Sequence, residues 1–179
     1  MLEKDENIDM KIRIAKLKDV AELSILGKKT FDQSFGHLYK DRMNVINYLN
    51  STFSIEKIKS SISDSQHIYW IVFYKEIAVG YAKIQLNAPS KFIESTQVCK
   101  LQRLYILQEY LSKGIGGQLL KLICDKVKVN KGQYIWLSVL KSNKKAIHFY
   151  ERYKYQIIGE HSSVVGKENF NFWVMRIRL

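Results

Sequence analysis

The run Ser112-Lys113-Gly114-Ile115-Gly116-Gly117-Gln118-Leu119-Leu120 holds the residue types and spacing best suited to chemistry in this chain. It puts three glycines between an apolar strand, Leu104-Tyr105-Ile106, and an amphipathic helix. Glycine lets the backbone turn tightly and lets a ligand come close, with no Cβ in the way. The first amides of a helix lack intrahelical partners and stand at the positive end of its dipole. Strand, glycine turn and helix start therefore predict an anion cradle, most often for a pyrophosphate.

The charge distribution agrees with an anionic ligand. Formal net charge is +12. Residues 1–99 contribute +2, residues 100–155 contribute +9 and residues 156–179 contribute +1, so the excess belongs to the segment with the glycine turn. Such a field attracts polyanions of any kind, nucleic acid included. No helix-turn-helix, zinc or basic-zipper pattern accompanies it, which argues against nucleic acid as partner.

The remaining bulk features narrow the class. With 179 residues, 46% hydrophobic and 26% charged, the chain suits one globular domain. No apolar run reaches the ~20 residues of a membrane span. Met1-Leu2-Glu3-Lys4-Asp5-Glu6 lacks the apolar core of a signal peptide, so the expected location is cytoplasmic. Cys99 and Cys124 are too few for a disulfide framework or a zinc site, and no metal is expected.

The elements that must position the glycine turn follow from periodicity. Residues 1–10 read as an N-terminal extension and 11–179 as the domain. Lys11–Ala15 reads as a first strand, followed by an amphipathic helix from about Asp19 to Phe35. Asp41–Phe53 and Ser54–Ser63 read as further helices. His67–Tyr74 and Ile77–Leu86, separated by Lys75-Glu76, read as a hairpin, and Asn87–Thr96 as a loop. Val98–Leu107 is the strand that enters the glycine turn. The following helix puts Ile115, Leu119, Leu120, Ile123, Cys124 and Val127 on one face. Tyr134–Val139 is a second buried strand, and a right-handed crossover makes it parallel to the first. Ser142 or Asn143 can cap the next helix, whose apolar stripe includes Ala146, Ile147, Phe149, Tyr150 and Tyr153. Tyr155–Glu160 and Asn169–Leu179 read as closing strands. The fold class is α/β, with a mixed sheet.

At this point the residues resemble a known family, the GCN5-related N-acetyltransferases (GNAT). The family signature Arg/Gln-x-x-Gly-x-Gly/Ala is matched by Leu111-Ser112-Lys113-Gly114-Ile115-Gly116, and Asn-x-x-Ala-x-x-Phe-Tyr by Asn143-Lys144-Lys145-Ala146-Ile147-His148-Phe149-Tyr150. Within the family the chain is similar to PaiA-type polyamine acetyltransferases, on Thr30-Phe31-Asp32-Gln33-Ser34-Phe35, Arg103-Leu104-Tyr105-Ile106 and Ile135-Trp136-Leu137-Ser138-Val139. Leu111 stands where the family has Arg or Gln, and Lys154 where many members have Gly.

The resemblance implies a single domain with a mixed, mostly antiparallel sheet, whose central parallel strand pair splays apart between flanking helices. It implies acetyl-CoA as cosubstrate, with its pyrophosphate on the amides of Ser112, Lys113, Gly114, Ile115, Gly116 and Gly117. The pantetheine arm would pair with Leu104, Tyr105 and Ile106 and meet Asn143 and Ala146. Lys121, Lys126 and Lys128 are candidates for the ribose phosphate. Tyr150 is placed by the motif to protonate the departing thiolate, although it also fits the apolar stripe. No general base is assigned: Gln102 stands where related chains carry a carboxylate, Glu109 reads as a surface residue, and His148 faces away from the motif. The acceptor, a small primary amine such as spermidine or spermine, would lie among aromatic residues such as Phe31, Phe35 and Tyr81, whose faces favour cations. Asp32, Asp41 and Glu56 are its candidate acidic contacts. A protein or antibiotic amine is the alternative acceptor, and a non-catalytic acyl-CoA-binding or nucleic-acid-binding regulator is the alternative class. A homodimer stands beside a monomer as an open expectation.

Overall fold

The computed structural model describes residues 10–179, so most of the expected extension lies outside the described residues. Met10 itself belongs to the sheet. The strands are β1 (Met10–Ile14), β2 (His67–Tyr74), β3 (Ile77–Gln85), β4 (Val98–Ile106), β5 (Tyr134–Leu140), β6 (Gln156–Val165) and β7 (Glu168–Arg178). The helices are α1 (Val20–Phe35), α2 (Arg42–Thr52), α3 (Ile55–Ser63), α4 (Ile115–Val129) and α5 (Lys144–Arg152). One seven-stranded sheet runs in the order β1-β2-β3-β4-β5-β7-β6. Of its pairings only β4 with β5 is parallel. The expected fold class is therefore the observed one.

Local chemistry accounts for the element ends. Asp41 caps α2 by accepting from the Met43 amide, and Ser54 caps α3 by accepting from the Lys57 amide. Lys75 and Glu76 both adopt positive φ, 46° and 64°, as a two-residue hairpin loop between twisted strands requires. Asn143, not Ser142, caps α5: its Oδ1 accepts from the Ala146 amide at 3.1 Å.

Some boundaries differ from the sequence reading. A short 3-10 turn at Leu17–Asp19 precedes α1, with buried Asp19 accepting from Arg13 and from the Lys16 amide. Tyr155 precedes β6 instead of opening it, and is packed inside with Tyr150. The last two strands are long, because the β6–β7 hairpin extends to a turn at Gly166 that meets Tyr39.

Adjacent β4 residues reveal the layers, since neighbouring strand side chains point to opposite faces. Tyr105 meets Phe35 of α1, whereas Ile106 lies against Gly116 of α4. Helices α1–α3 thus cover one face of the sheet and α4 the other. Under α4, the inward side of β5 supplies Ile135, Leu137 and Val139 to the core, while Trp136 and Ser138 look to the opposite face.

Candidate active site

The parallel pairing of β4 and β5 is brief. It joins Val98 to Tyr134, Cys99 to Ile135 and Lys100 to Trp136, and then stops. Beyond it β4 pairs only with β3, and β5 only with β7. The cause is visible in the register: Lys83 faces Arg103 and Ile84 faces Leu101, so Gln102 is an extra residue that bends β4. The Gln102 side-chain amide donates to the side-chain Oε1 of Gln85 at 2.6 Å. Leu104, Tyr105 and Ile106 all lie past the last β4–β5 pair, on an edge inside the sheet.

The glycine turn closes the far end of this opening. Ser112 (φ 62°) and Gly114 (φ 76°) are both left-handed, and Gly114 is the N-cap of α4 with no side chain capping the helix. Alternating backbone hands aim successive amides into one concavity. A Cβ on Gly114 would meet nothing within 4 Å, so the approach is open. Gly116 and Gly117 are needed on the other side. A Cβ there would strike Phe149 of α5 and Tyr153 just after it, respectively, so these glycines also let α5 dock on α4. Leu111, Ser112 and Lys113 are exposed. A turn of free amides without a covering side chain fits a diphosphate in its chemistry and its access.

Helix α5 supplies the residues of the second motif. With Asn143 Oδ1 occupied as a cap, its amide nitrogen remains for a ligand. Tyr150 is 9% exposed, and burial pushes its hydroxyl well above the usual tyrosine range, with Tyr105 nearby adding to the shift. A phenol held protonated can donate a proton to a departing thiolate but cannot act as a base. His148 is exposed, in line with the sequence expectation. Glu109 is also exposed, and it pairs with Lys29 at 3.3 Å and with Gln33.

On the face covered by α1–α3, aromatic rings gather beside Tyr105. Phe35 meets it edge-on at 6.1 Å and Tyr81 at 5.8 Å. Phe31 sits one layer back, with Phe35 and Tyr48 each 5.0 Å away, and belongs to the core. Tyr81 is 1% exposed and its hydroxyl has no hydrogen-bond partner among the described residues. The expected acidic contacts are engaged elsewhere or distant. Asp32 forms a two-pronged ion pair with Arg42, Asp41 is a helix cap, and Glu56 is exposed in the first turn of α3.

Two candidate pairs on this face escaped the sequence reading. Ser138, past the last β4–β5 pair, lies 2.9 Å from Nε2 of His161, whose ring stacks on Phe172. Lys83 and Arg103 stand directly opposite each other on β3 and β4. Alternation within β5 could have flagged Ser138, but only the cross-strand register reveals its partner and the paired cations.

Two concavities of about 190 and 250 Å3 lie away from the opening, by Ile14 and Lys126 and by Asn130–Gly132. Neither holds the residues of the two motifs. Lys126 is thus at a different place from the glycine turn, while Lys121 and Lys128 are exposed on α4. Among the described residues, no group of three or more His, Cys, Asp or Glu could hold a metal ion, and no helix is long and apolar enough to cross a membrane.

Comparison with known proteins agrees with this geometry. The family model described as the acetyltransferase (GNAT) family matches residues 33–155. An uncharacterised N-acetyltransferase of Lactobacillus delbrueckii subsp. lactis is 22% identical over 84% of this chain and 87% of its own length. The spermine/spermidine N(1)-acetyltransferase of Bacillus subtilis is 28% identical over 62% of this chain and 76% of its own. The crystal structure of the PaiA N-acetyltransferase from Thermoplasma acidophilum, in complex with coenzyme A, superposes with a TM-score of 0.78 at 18% identity. It covers 95% of this chain and 99% of that one.

Proposed function

Because the chain belongs to the GNAT family of acetyltransferases, and so is an acetyl-CoA-dependent N-acetyltransferase, we propose that it acetylates a primary amine of a small molecule by direct attack in a ternary complex. The observation that carries this reading is the divergence of β4 from β5 after three paired positions, beside a turn of open amides. Acetyl-CoA, when bound, supplies a thioester whose carbonyl carbon accepts the amine. The amides of Ser112 to Gly117 hold its diphosphate. The β4 edge at Leu104–Ile106 receives the pantetheine as an added strand, with the Asn143 amide nitrogen and Ala146 beside it.

The Tyr150 hydroxyl gives its proton to the thiolate as the carbon–sulfur bond breaks. An alkyl ammonium has a pKa near ~10.4, so it must lose a proton before it can attack. Ser138 and His161 provide a hydrogen-bonded route for that proton on the acceptor face. A polyamine acceptor draws its support from the name of the Bacillus relative and from the PaiA neighbour.

The test is release of CoA thiol from acetyl-CoA on incubation with a panel of amines. Turnover with at least one primary amine is expected, and none with any amine would defeat the proposal. Tyr150→Phe is expected to lower kcat by about 100-fold or more, with acetyl-CoA affinity within about twofold of wild type. An unchanged kcat removes Tyr150 from the mechanism.

A further inference from the structure

In the register between β2, β3 and β4, one row runs Tyr69, Lys83, Arg103 across three strands. Lys83 is 9% exposed, and its Nζ lies 5.3 Å from the centre of the Tyr69 ring. The Arg103 guanidinium lies 4.4 Å from the centre of the Phe53 ring. Neither forms an ion pair among the described residues. Like charges directly opposite across a strand pair repel, and burial strengthens the repulsion. The charge of Asp64 reaches Lys83 and offsets part of its own, while that carboxylate also accepts from the Gln66 amide. Two cations facing one another on a sheet face, with aromatic rings in place of carboxylates, are arranged as an anion receptor would be.

The position of the row relates it to the reaction. Arg103 is on the acceptor face of β4, two residues before Tyr105, whose ring meets Phe35 and Tyr81 past the last β4–β5 pair. Two residues of strand span about 6.6 Å. An acceptor whose nitrogen lies at the β4–β5 opening would therefore carry its far end to Arg103. Asp32 and Glu109 each have a basic partner of their own, so Asp64, acting on Lys83 alone, leaves most of the paired charge uncompensated.

From this juxtaposition we infer that the acceptor is an amine with an anionic group, a carboxylate or a phosphate, a few bonds from its nitrogen, held by Arg103 and Lys83. The inference rests on the acetyltransferase reading above and names the substrate class for that site. A polyamine would instead bring positive charge to the same two residues.

Matched amines provide the test. With acetyl-CoA saturating, 4-aminobutyrate is compared with putrescine, and O-phosphoethanolamine with ethanolamine; the two pairs distinguish carboxylate from phosphate. At least one anionic member is expected to exceed its partner tenfold or more in kcat/KM. Arg103→Met and Lys83→Met are each expected to raise KM for that amine at least tenfold, with a smaller loss for ethanolamine and the KM for acetyl-CoA within about twofold of wild type. A preference for putrescine or spermidine overturns the inference, as does an equal loss with charged and neutral amines or a raised KM for acetyl-CoA. If no amine releases thiol, the acetyltransfer proposal has failed, and calorimetry of the CoA-bound protein decides the anion site separately. Heat on adding 4-aminobutyrate or O-phosphoethanolamine that Lys83→Met abolishes sustains it, and no heat with either overturns it.

Discussion

Lys83 offers the sharpest test of the electrostatics, because replacing it should stabilise the protein. Burial is the main reason that its ammonium is pushed down to about 8 from 10.5; the charge of Arg103 acts in the same direction and that of Asp64 against it. At about 1.4 kcal/mol for each pH unit, this gap corresponds to about 3 kcal/mol held against the folded state at neutral pH. The Tyr69 ring returns about 0.5–1 kcal/mol, which leaves about 2 kcal/mol. Methionine keeps the length of the stem and removes the charge. Lys83→Met is therefore expected to gain about 2 kcal/mol in urea unfolding at pH 7, followed by tryptophan fluorescence. The sign with pH is fixed by linkage. Between about 8 and 10.5 the unfolded chain binds the proton that the folded chain has released, so wild-type stability rises with pH there. The advantage of the variant should shrink over the same interval. A variant no more stable than wild type at pH 7, or a difference that does not change with pH, would refute the reasoning.

Three further outcomes follow from local geometry. Gly114→Ala puts a side chain at φ 76° and is expected to cost about 1 kcal/mol of stability while weakening acetyl-CoA binding by tenfold or more; unaltered binding in a titration would remove Gly114 from the cradle. Lys154 holds φ 67° after α5, so Lys154→Gly should raise stability by about 0.5–1 kcal/mol, read from the urea midpoint at constant slope. The Arg13 guanidinium, 2.7 Å away through each of two bonds, holds the Asp19 carboxyl down to about 2 from 3.8. That pair contributes about 2 kcal/mol above pH 4, lost as pH falls toward 2. Asp19→Asn should be less stable by about that amount at neutral pH and should flatten this part of an acid titration followed by circular dichroism.

The strands, helices and glycine turn were legible in the sequence because each is set locally. A short apolar run and the crossover rule set β5, the 3.6-residue stripe set α4, and Lys75-Glu76 between two apolar runs set the hairpin. Asn143 and Tyr150 were legible as members of a spaced motif on one helix. What was not legible depended on pairing between distant segments. The extra residue Gln102 leaves no mark on β4, and the facing of Lys83 with Arg103 exists only once that bulge has set the register. Ser138 meets His161 only because β7 lies between their strands in the sheet. Phe31, which packs in the core, shows a converse limit: an aromatic residue on an amphipathic helix looks alike in sequence whether it lines a cavity or backs one.

A sheet normally keeps its exposed edges at its flanks, where charge or brevity discourages other chains from joining. Here the bulge at Gln102 creates two such edges in the middle of the molecule, facing each other across a slot. A slot of that kind selects by cross-section: a thin, extended arm with amide groups can enter, while a folded or branched molecule is turned away before any side chain touches it. Discrimination among activated carriers is thereby assigned to backbone spacing, which leaves the side chains of the opposite face free to specialise for the molecule that receives the transferred group.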